Sequence, residues 1–276
     1  METNSINMDN KKQEVYEFWN QASCGESLYL SESDKNGYIA QSNSRYSLEG
    51  ELIFSIAHFD QVKGLKVLEV GVGLGADHQK FAESGAELFG IDLTERAVDY
   101  TKKRLEIFDL KSNLSVGDAE NLKFENESFD QVYSWGVLHH SPDTPKAISE
   151  VWRVLKSGGL ASIMVYHKWS VIGLILWLRY ALFRLKPWLT LSQVYDRYLE
   201  SPGTKAYSIA EAQKLFSTFS EVKIKTKLTH GDLLESNVGQ RHQGLALSFA
   251  KKLWPRTLLR LLLPNSGLFM LIEARR

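Results

Sequence analysis

Cysteine is almost absent from this chain of 276 residues: Cys24 stands alone. A disulfide framework and any all-cysteine metal site are therefore excluded, and a reducing compartment is expected. Cys24 lies in Ala-Ser-Cys-Gly-Glu, where a small buried hydrophobe is expected, not a nucleophile. Membrane-length apolar runs are missing too. Val171–Leu178 is apolar throughout but far shorter than the ~20 residues that cross a bilayer. The N-terminus METNSINMDNKKQE is polar, so no signal peptide and a cytoplasmic location are expected. No internal repeat or low-complexity tract occurs. With 43% apolar and 24% charged residues, disorder and a collagen-like chain are excluded.

Net charge is absent as well, 33 basic residues against 33 acidic, but the halves differ. Residues 1–165 carry 16 Lys+Arg against 26 Asp+Glu, and residues 166–276 carry 17 against 7. An acidic body with a basic surface follows. The basic half also holds Trp169, Trp177, Trp188 and Trp254.

Residues 1–60 read as a helical N-terminal segment, with Val15, Phe18 and Trp19 on one stripe and Leu48, Leu52, Ile53, Ile56 and Ala57 on another. Alternation of strands and helices begins at residue 65. Strands are expected at Leu65–Val70, Glu87–Asp92, Leu114–Gly117, Phe129–Trp135 and Leu160–Tyr166. Helices are expected at Ala76–Glu83, Thr94–Phe108 with Thr94 as N-cap, and Asp143–Lys156 with Gly158 as its stop. This rhythm predicts an α/β fold with a mostly parallel sheet covered on both faces. Residues 61–166 form the expected core. Residues 167–276 contribute a helix at Ser208–Phe216 and strands near 222–228 and 268–274, interrupted by insertions at 167–206 and 229–266.

The segment Val67-Leu-Glu-Val-Gly-Val-Gly-Leu-Gly75 carries the clearest chemical signal. A strand enters a glycine-rich turn that opens a helix. Gly71 and Gly73 permit the turn and close approach of a ligand, and the helix N-terminus favours an anionic group. Asp92, at the end of the next strand, suits two ribose hydroxyls. A dinucleotide fingerprint fits this turn equally well. Glu69 argues against it, because its charge opposes a pyrophosphate and suits a cationic amino group. Gly117-Asp-Ala-Glu120 follows the third strand, with Asp118 placed to accept from an adenine amine. Phe129-Asp-Gln-Val-Tyr-Ser-Trp135, Val137-Leu-His-His140 and Val154-Leu-Lys-Ser-Gly-Gly159 complete the order.

In that order the motifs resemble the class I S-adenosylmethionine-dependent methyltransferases, and are similar to the ubiquinone- and menaquinone-type small-molecule enzymes. The resemblance covers about residues 60–166 and the last strand. It implies a Rossmann-like seven-stranded sheet with an antiparallel last strand and helical cap insertions. It also implies that Glu69, Gly71 and Gly73 hold the methionine part of the cofactor, Asp92 and Leu93 the ribose, and Asp118 and Ala119 the adenine. Ser134 and Gly136 would flank the sulfonium, and Trp19, Tyr29 and Tyr38 would belong to a cofactor cap. Glu69 stands where the family commonly has Asp.

Ligands of open α/β sheets sit beyond the carboxyl ends of the strands. His139, His140, Tyr166 and His167 lie there and are the candidate catalytic residues, as base or acceptor-positioning groups. The alternative for each is a pocket wall without proton transfer. His230 with Asp232, and Arg241 with His242, lie in the second insertion, but no recognised ligand spacing is present and no metal is expected.

The insertions are rich in Trp, Leu, Lys and Arg. They read as a helical cap whose cations pair with the acidic body, or as a surface for an anionic membrane; the density of leucine disfavours nucleic acid. The expected activity is methyl transfer to a small, lipophilic or aromatic acceptor. Two alternatives keep the fold: transfer of another group from the same cofactor, and a membrane-peripheral binding protein without catalysis.

Overall fold

The strand–helix alternation builds a seven-stranded sheet of order β3-β2-β1-β4-β5-β7-β6. In this computed structural model, which describes residues 9–235, 252 and 254–276, β1 is Lys66–Val70, β2 Glu87–Asp92, β3 Asn113–Val116 and β4 Phe129–Trp135. β5 is Leu155–Tyr166, β6 Glu221–Lys227 and β7 Phe269–Arg275. Strands β1 to β5 pair in parallel, and β7 lies antiparallel between β5 and β6. The expected fold class is the one observed. β6 is an edge strand whose Lys223, Lys225 and Lys227 are exposed, a charge pattern that blunts edge-to-edge pairing.

Successive residues of the central strands point to opposite faces, so β1 feeds two cores. Leu68 and Val70 pack with Val132, Ile148 and Val151 on one side, and Val67 packs with Ile53, Phe81 and Tyr133 on the other. The helices between the strands are α4 (Ala76–Glu83), α5 (Glu95–Ile107) and α6 (Thr144–Val154). Thr94 caps α5 by accepting from Ala97 N, and Asp143 caps α6 by accepting from Lys146 N. One expectation is corrected here. α6 stops at Val154 instead of reaching Lys156, because Leu155 is wholly buried and already pairs with Phe129 as the first residue of β5. Gly158, at φ +76°, serves an irregularity in that strand.

Ahead of the sheet lie α1 (Asn10–Gln21), α2 (Glu26–Tyr29) and α3 (Lys35–Ala57). The expected stripe ending at Ala57 is only the second half of α3, which begins where the Asp34 side chain caps Gly37 N. The first half is secured by Arg104 of α5, which is fully buried and has no carboxylate partner among the described residues. Its guanidinium donates instead to Gln79, Gln41, Leu74 O, Tyr38 O and Ser42.

After β5, α7 (Val171–Trp177), a π-helical turn (Leu178–Leu182) and α8 (Leu191–Tyr198) form a satellite around Leu176, Ala181, Leu189 and Val194. α9 (Ile209–Leu215) precedes β6, and α10 (Arg256–Leu262) precedes β7. Asp232, wholly buried, joins the parts by accepting from Thr229 N, Leu268 N and Ile172 N. Arg241 and His242 lie outside the described residues.

Candidate active site

At the carboxyl end of β1 the chain turns sharply through Gly71, Gly73 and Gly75, all at positive φ. A Cβ on Gly71 would stand 2.1 Å from Val137 Cγ2, so the turn passes hard against the loop after β4. A Cβ on Gly73 would meet nothing within 4 Å: it would enter a cavity of about 360 Å³. α4 begins at the far side of this turn with no side-chain cap, which leaves its first N–H groups for a ligand.

Three carboxylates of the expected cofactor set line this cavity. Glu69 is buried, and its Oε2 lies 2.8 Å from His78 Nδ1. Ser112 donates its hydroxyl to Leu88 O at 2.9 Å, so toward His78 Nε2, at 2.8 Å, it accepts. His78 Nδ1 then carries the lone pair, and the proton of the Glu69–His78 bond sits on the carboxyl. Burial pushes both groups the same way: Glu69 well above the usual carboxylate range, His78 down to about 3. Asp92 accepts from Thr94 N (3.0 Å), Thr94 Oγ1 (2.9 Å) and Gly73 N (3.2 Å), which fixes its carboxylate against the glycine turn. Burial nonetheless pushes Asp92 upward. Asp118 Oδ2 is 2.7 Å from Lys12 Nζ, which also reaches Glu120 Oε2 at 2.7 Å.

Leu93, Ala119 and Gly136 line the same cavity. Ser134 does not: it is wholly buried and donates to Val70 O at 2.9 Å, supporting the end of β1 from beneath.

The expected catalytic residues divide. His140 and Tyr166 line the cavity, whereas His139 and His167 do not. His139 is wholly buried, with its ring centroid 4.0 Å from that of Tyr166. His167 is buried near Gly267 O, and its backbone bridges to Tyr207 and Leu268, which makes it part of the junction after β5. Tyr166 donates to Glu200 Oε2 at 2.7 Å, and His140 Nδ1 lies 2.8 Å from Ser201 Oγ. Trp19 stands edge-on to His140 at 5.2 Å. Cys24 is exposed, contrary to the buried hydrophobe expected, but the surface it meets is the cavity wall. Enclosure, with Glu200 and Glu49 nearby, pushes its thiol up to about 12, so it is no ready nucleophile.

The N-terminal segment lies over this site. Trp19 and Tyr29 line the cavity, but Tyr38 is buried against Arg104 instead. Sequence reasoning missed Lys12, Arg45 and Glu200. Arg45 binds buried Asp77 at the start of α4 (2.6 Å), where Tyr133 and Tyr46 also donate. Lys12 and Arg45 are lone residues on helices and Glu200 follows the end of α8, and none of the three sits in a local pattern that signals these contacts. Of the second insertion, His230 reaches the cavity and Asp232 does not.

Comparison with known proteins agrees with this architecture. A family model described as "Methyltransferase domain" matches residues 68–163. Phosphoethanolamine N-methyltransferase 2 of Caenorhabditis elegans is 37% identical over 107 residues, 38% of this chain and 24% of the relative. Ubiquinone biosynthesis O-methyltransferase of Coxiella burnetii is 33% identical over 98 residues, 36% and 42% of the two chains. The chain thus spans well under half the length of these curated relatives. Among solved structures, geranyl diphosphate C-methyltransferase from Streptomyces coelicolor A3(2) superposes with a TM-score of 0.64 at 15% identity, covering 98% of this chain and 100% of that one. The Haemonchus contortus phosphoethanolamine N-methyltransferase 2 gives 0.62 at 17% identity, covering 95% and 60%. These structures share the fold, and the matched segment carries the glycine turn and both strand-end acids: residues 68–163 match the methyltransferase domain family.

Proposed function

We propose that this protein binds S-adenosylmethionine in the cavity at the strand ends and methylates a small, lipophilic or aromatic acceptor. The observation that carries this reading is the continuity of one cavity, from Glu69, Asp92 and Asp118 to an aromatic compartment bounded by Trp19, Trp135, Tyr166 and Phe269. The residues present suit the cofactor. The open space beside Gly73 admits a ligand against the backbone. Buried Glu69 matches an amino-acid ammonium, Asp92 with Leu93 a ribose, and Asp118 with Ala119 an adenine.

When bound, S-adenosylmethionine supplies an activated methyl group on a sulfonium. The chain's contribution is placement: transfer needs an in-line approach, and proximity and orientation supply much of the rate. Gly73 and Gly136 leave room beside the cavity where the cofactor would lie, while Gly71 lets the turn close on Val137. His140, Tyr166 and Glu200 form the polar edge that receives the acceptor's nucleophilic atom, and Trp19 with α1 excludes water above it.

The acceptor's apolar character is supported by that aromatic lining and by an exposed apolar surface outside. Phe183, Leu185 and Trp188 are exposed beside Arg184 and Lys186. Such a tip fits the headgroup region of an anionic bilayer as a peripheral contact. Among the described residues no helix is long and apolar enough to cross a membrane.

Calorimetric titration with S-adenosylmethionine tests the reading, followed by comparison of metabolites with and without the gene for a mass difference of one methyl group. Saturable binding is expected. Absence of binding at millimolar cofactor would sink it.

A further inference from the structure

The loop after β4 and the segment after α8 place three metal-ligating side chains together at the acceptor end of the cavity. His139, His140 and Glu200 each offer one ligand atom, and these atoms lie within 4.8 Å of one another. His140 Nε2 is 3.4 Å from Glu200 Oε2, the separation of two ligands about 2 Å from one tetrahedrally bound ion.

We propose that His139, His140 and Glu200 bind a divalent transition-metal ion, and that an anionic oxygen of the acceptor completes its coordination. Three observations support the site. First, among the described residues both ring nitrogens of His139 and Nε2 of His140 are buried without a hydrogen-bond partner. Buried polar atoms are nearly always satisfied, so three orphaned nitrogens on adjacent rings call for a partner such as an ion. The approach of His140 Nε2 to Glu200 Oε2 accounts for only one of them, whereas an ion held by one nitrogen of each ring accounts for two.

Second, neighbouring residues orient the ligands. His140 Nδ1 is engaged by Ser201 Oγ at 2.8 Å and Thr204 Oγ1 at 3.2 Å, which turns Nε2 toward Glu200. Tyr166 holds the Glu200 carboxylate at 2.7 Å. A metal-binding histidine characteristically has its second nitrogen held by such an outer partner.

Third, the site has an open side. His140 and Glu200 line the cavity while His139 closes the back. Two imidazoles and one carboxylate favour zinc, iron, cobalt or nickel over magnesium, whose preferred ligands are all oxygens. With one carboxylate the occupied site would be cationic, which selects an oxygen-bearing acceptor in its anionic form, such as a phenolate or enolate. This last step rests on the methyl-transfer reading; metal binding itself does not.

The test uses the full chain stripped with a chelator and titrated with Co²⁺, read by visible absorption, and with Zn²⁺, read by competition with a chromophoric chelator. One equivalent per chain is expected. His140→Gln and Glu200→Gln should each weaken binding at least tenfold while keeping a cooperative thermal transition, and Tyr166→Phe should weaken it about tenfold. Absence of a cobalt spectrum in the wild type, or binding unaltered by both His140→Gln and Glu200→Gln, would overturn the proposal. Titration of the same wild-type sample with S-adenosylmethionine separates the two ideas: cofactor binding without metal defeats only the metal site, and metal binding without cofactor defeats only the methyltransferase reading.

Discussion

The carboxyl of Glu69 and the imidazole of His78 face each other at 2.8 Å in a fully buried pair, and the proton between them belongs to Glu69. A cofactor ammonium in this place would favour the ionised carboxylate. Because burial raises the folded-state pKa of Glu69 above its ordinary 4.5, this group stabilises the empty protein at low pH, and that contribution is lost as pH rises through the raised value. Cofactor affinity should therefore strengthen with pH over the same window. Glu69→Gln keeps a donor toward His78 but removes the charge. We expect near-normal thermal stability, a loss of about 10- to 100-fold in affinity for S-adenosylmethionine, and a flattened pH dependence. Calorimetry across pH reads all three, and unchanged affinity in the variant would refute the assignment.

The glycine turn separates stability from binding. Gly71→Ala meets both a left-handed backbone and Val137 at 2.1 Å, whereas Gly73→Ala meets only the backbone term and open space. Gly73→Ala should cost about 1 kcal/mol of stability, mostly strain, yet weaken cofactor binding by projecting a methyl into the cavity. Gly71→Ala should cost about 3 kcal/mol, partly recovered by Val137→Ala. Chemical denaturation measures the first effect and cofactor titration the second. Equal stability losses in the two variants would contradict the placement of the turn.

Among the described residues Arg104 is a buried cation solvated by neutral oxygens alone, and burial lowers its pKa to about 10. Arg104→Met would strand the acceptors of Gln79, Gln41, Leu74 and Tyr38 in the interior. A loss of about 3 kcal/mol is expected, with little recovery in Arg104→Lys, whose single ammonium cannot reproduce the fork. Urea unfolding at constant m-value checks this. A loss below ~1 kcal/mol would mean that the guanidinium does not hold α3 to α5.

The same residue explains what the sequence could not disclose. The strands were legible because a two-sided buried sheet writes itself as apolar runs, and Glu87–Asp92 and Phe129–Trp135 fall where their patterns put them. The front of α3 was not legible: Gln41-Ser-Asn-Ser44 has weak helix propensity, and its stability comes from Arg104, distant in sequence. Around the cavity, Glu69, Asp92 and Asp118 were visible because each follows from its strand end. Lys12 and Glu200 were hidden, since each meets its partners across tens of residues and neither sits in a local pattern. His139 and His140 are adjacent in sequence yet face different surroundings, which only the packing of Tyr166 and Trp19 decides.

The basic rear half divides between structural and exposed aromatics, and this yields the last prediction. Trp177 donates to Leu189 O and Trp254 to Asp232 O, so both are anchored. Lys168 pairs with Glu211 and Arg260 with Glu235, which uses those cations internally. Arg184, flanking the Tyr180 ring, has no carboxylate partner among the described residues, and it stands between Phe183, 77% exposed, and Leu185, 82% exposed. Trp188, 71% exposed, completes the tip. Sedimentation with vesicles containing phosphatidylserine should exceed that with neutral vesicles, and should fall as salt shortens the screening length from ~8 Å at physiological strength to ~3 Å at 1 M. Reversing two surface cations, Arg184→Glu with Lys186→Glu, removes at least ~2 kcal/mol of attraction and should lower partitioning about 30-fold. Phe183→Ser with Trp188→Ser should weaken binding to both vesicle types, because apolar insertion does not depend on lipid charge. Equal recovery on neutral and anionic vesicles, insensitive to both pairs of substitutions, would reject a membrane face and leave the segment as an exposed edge of the cap.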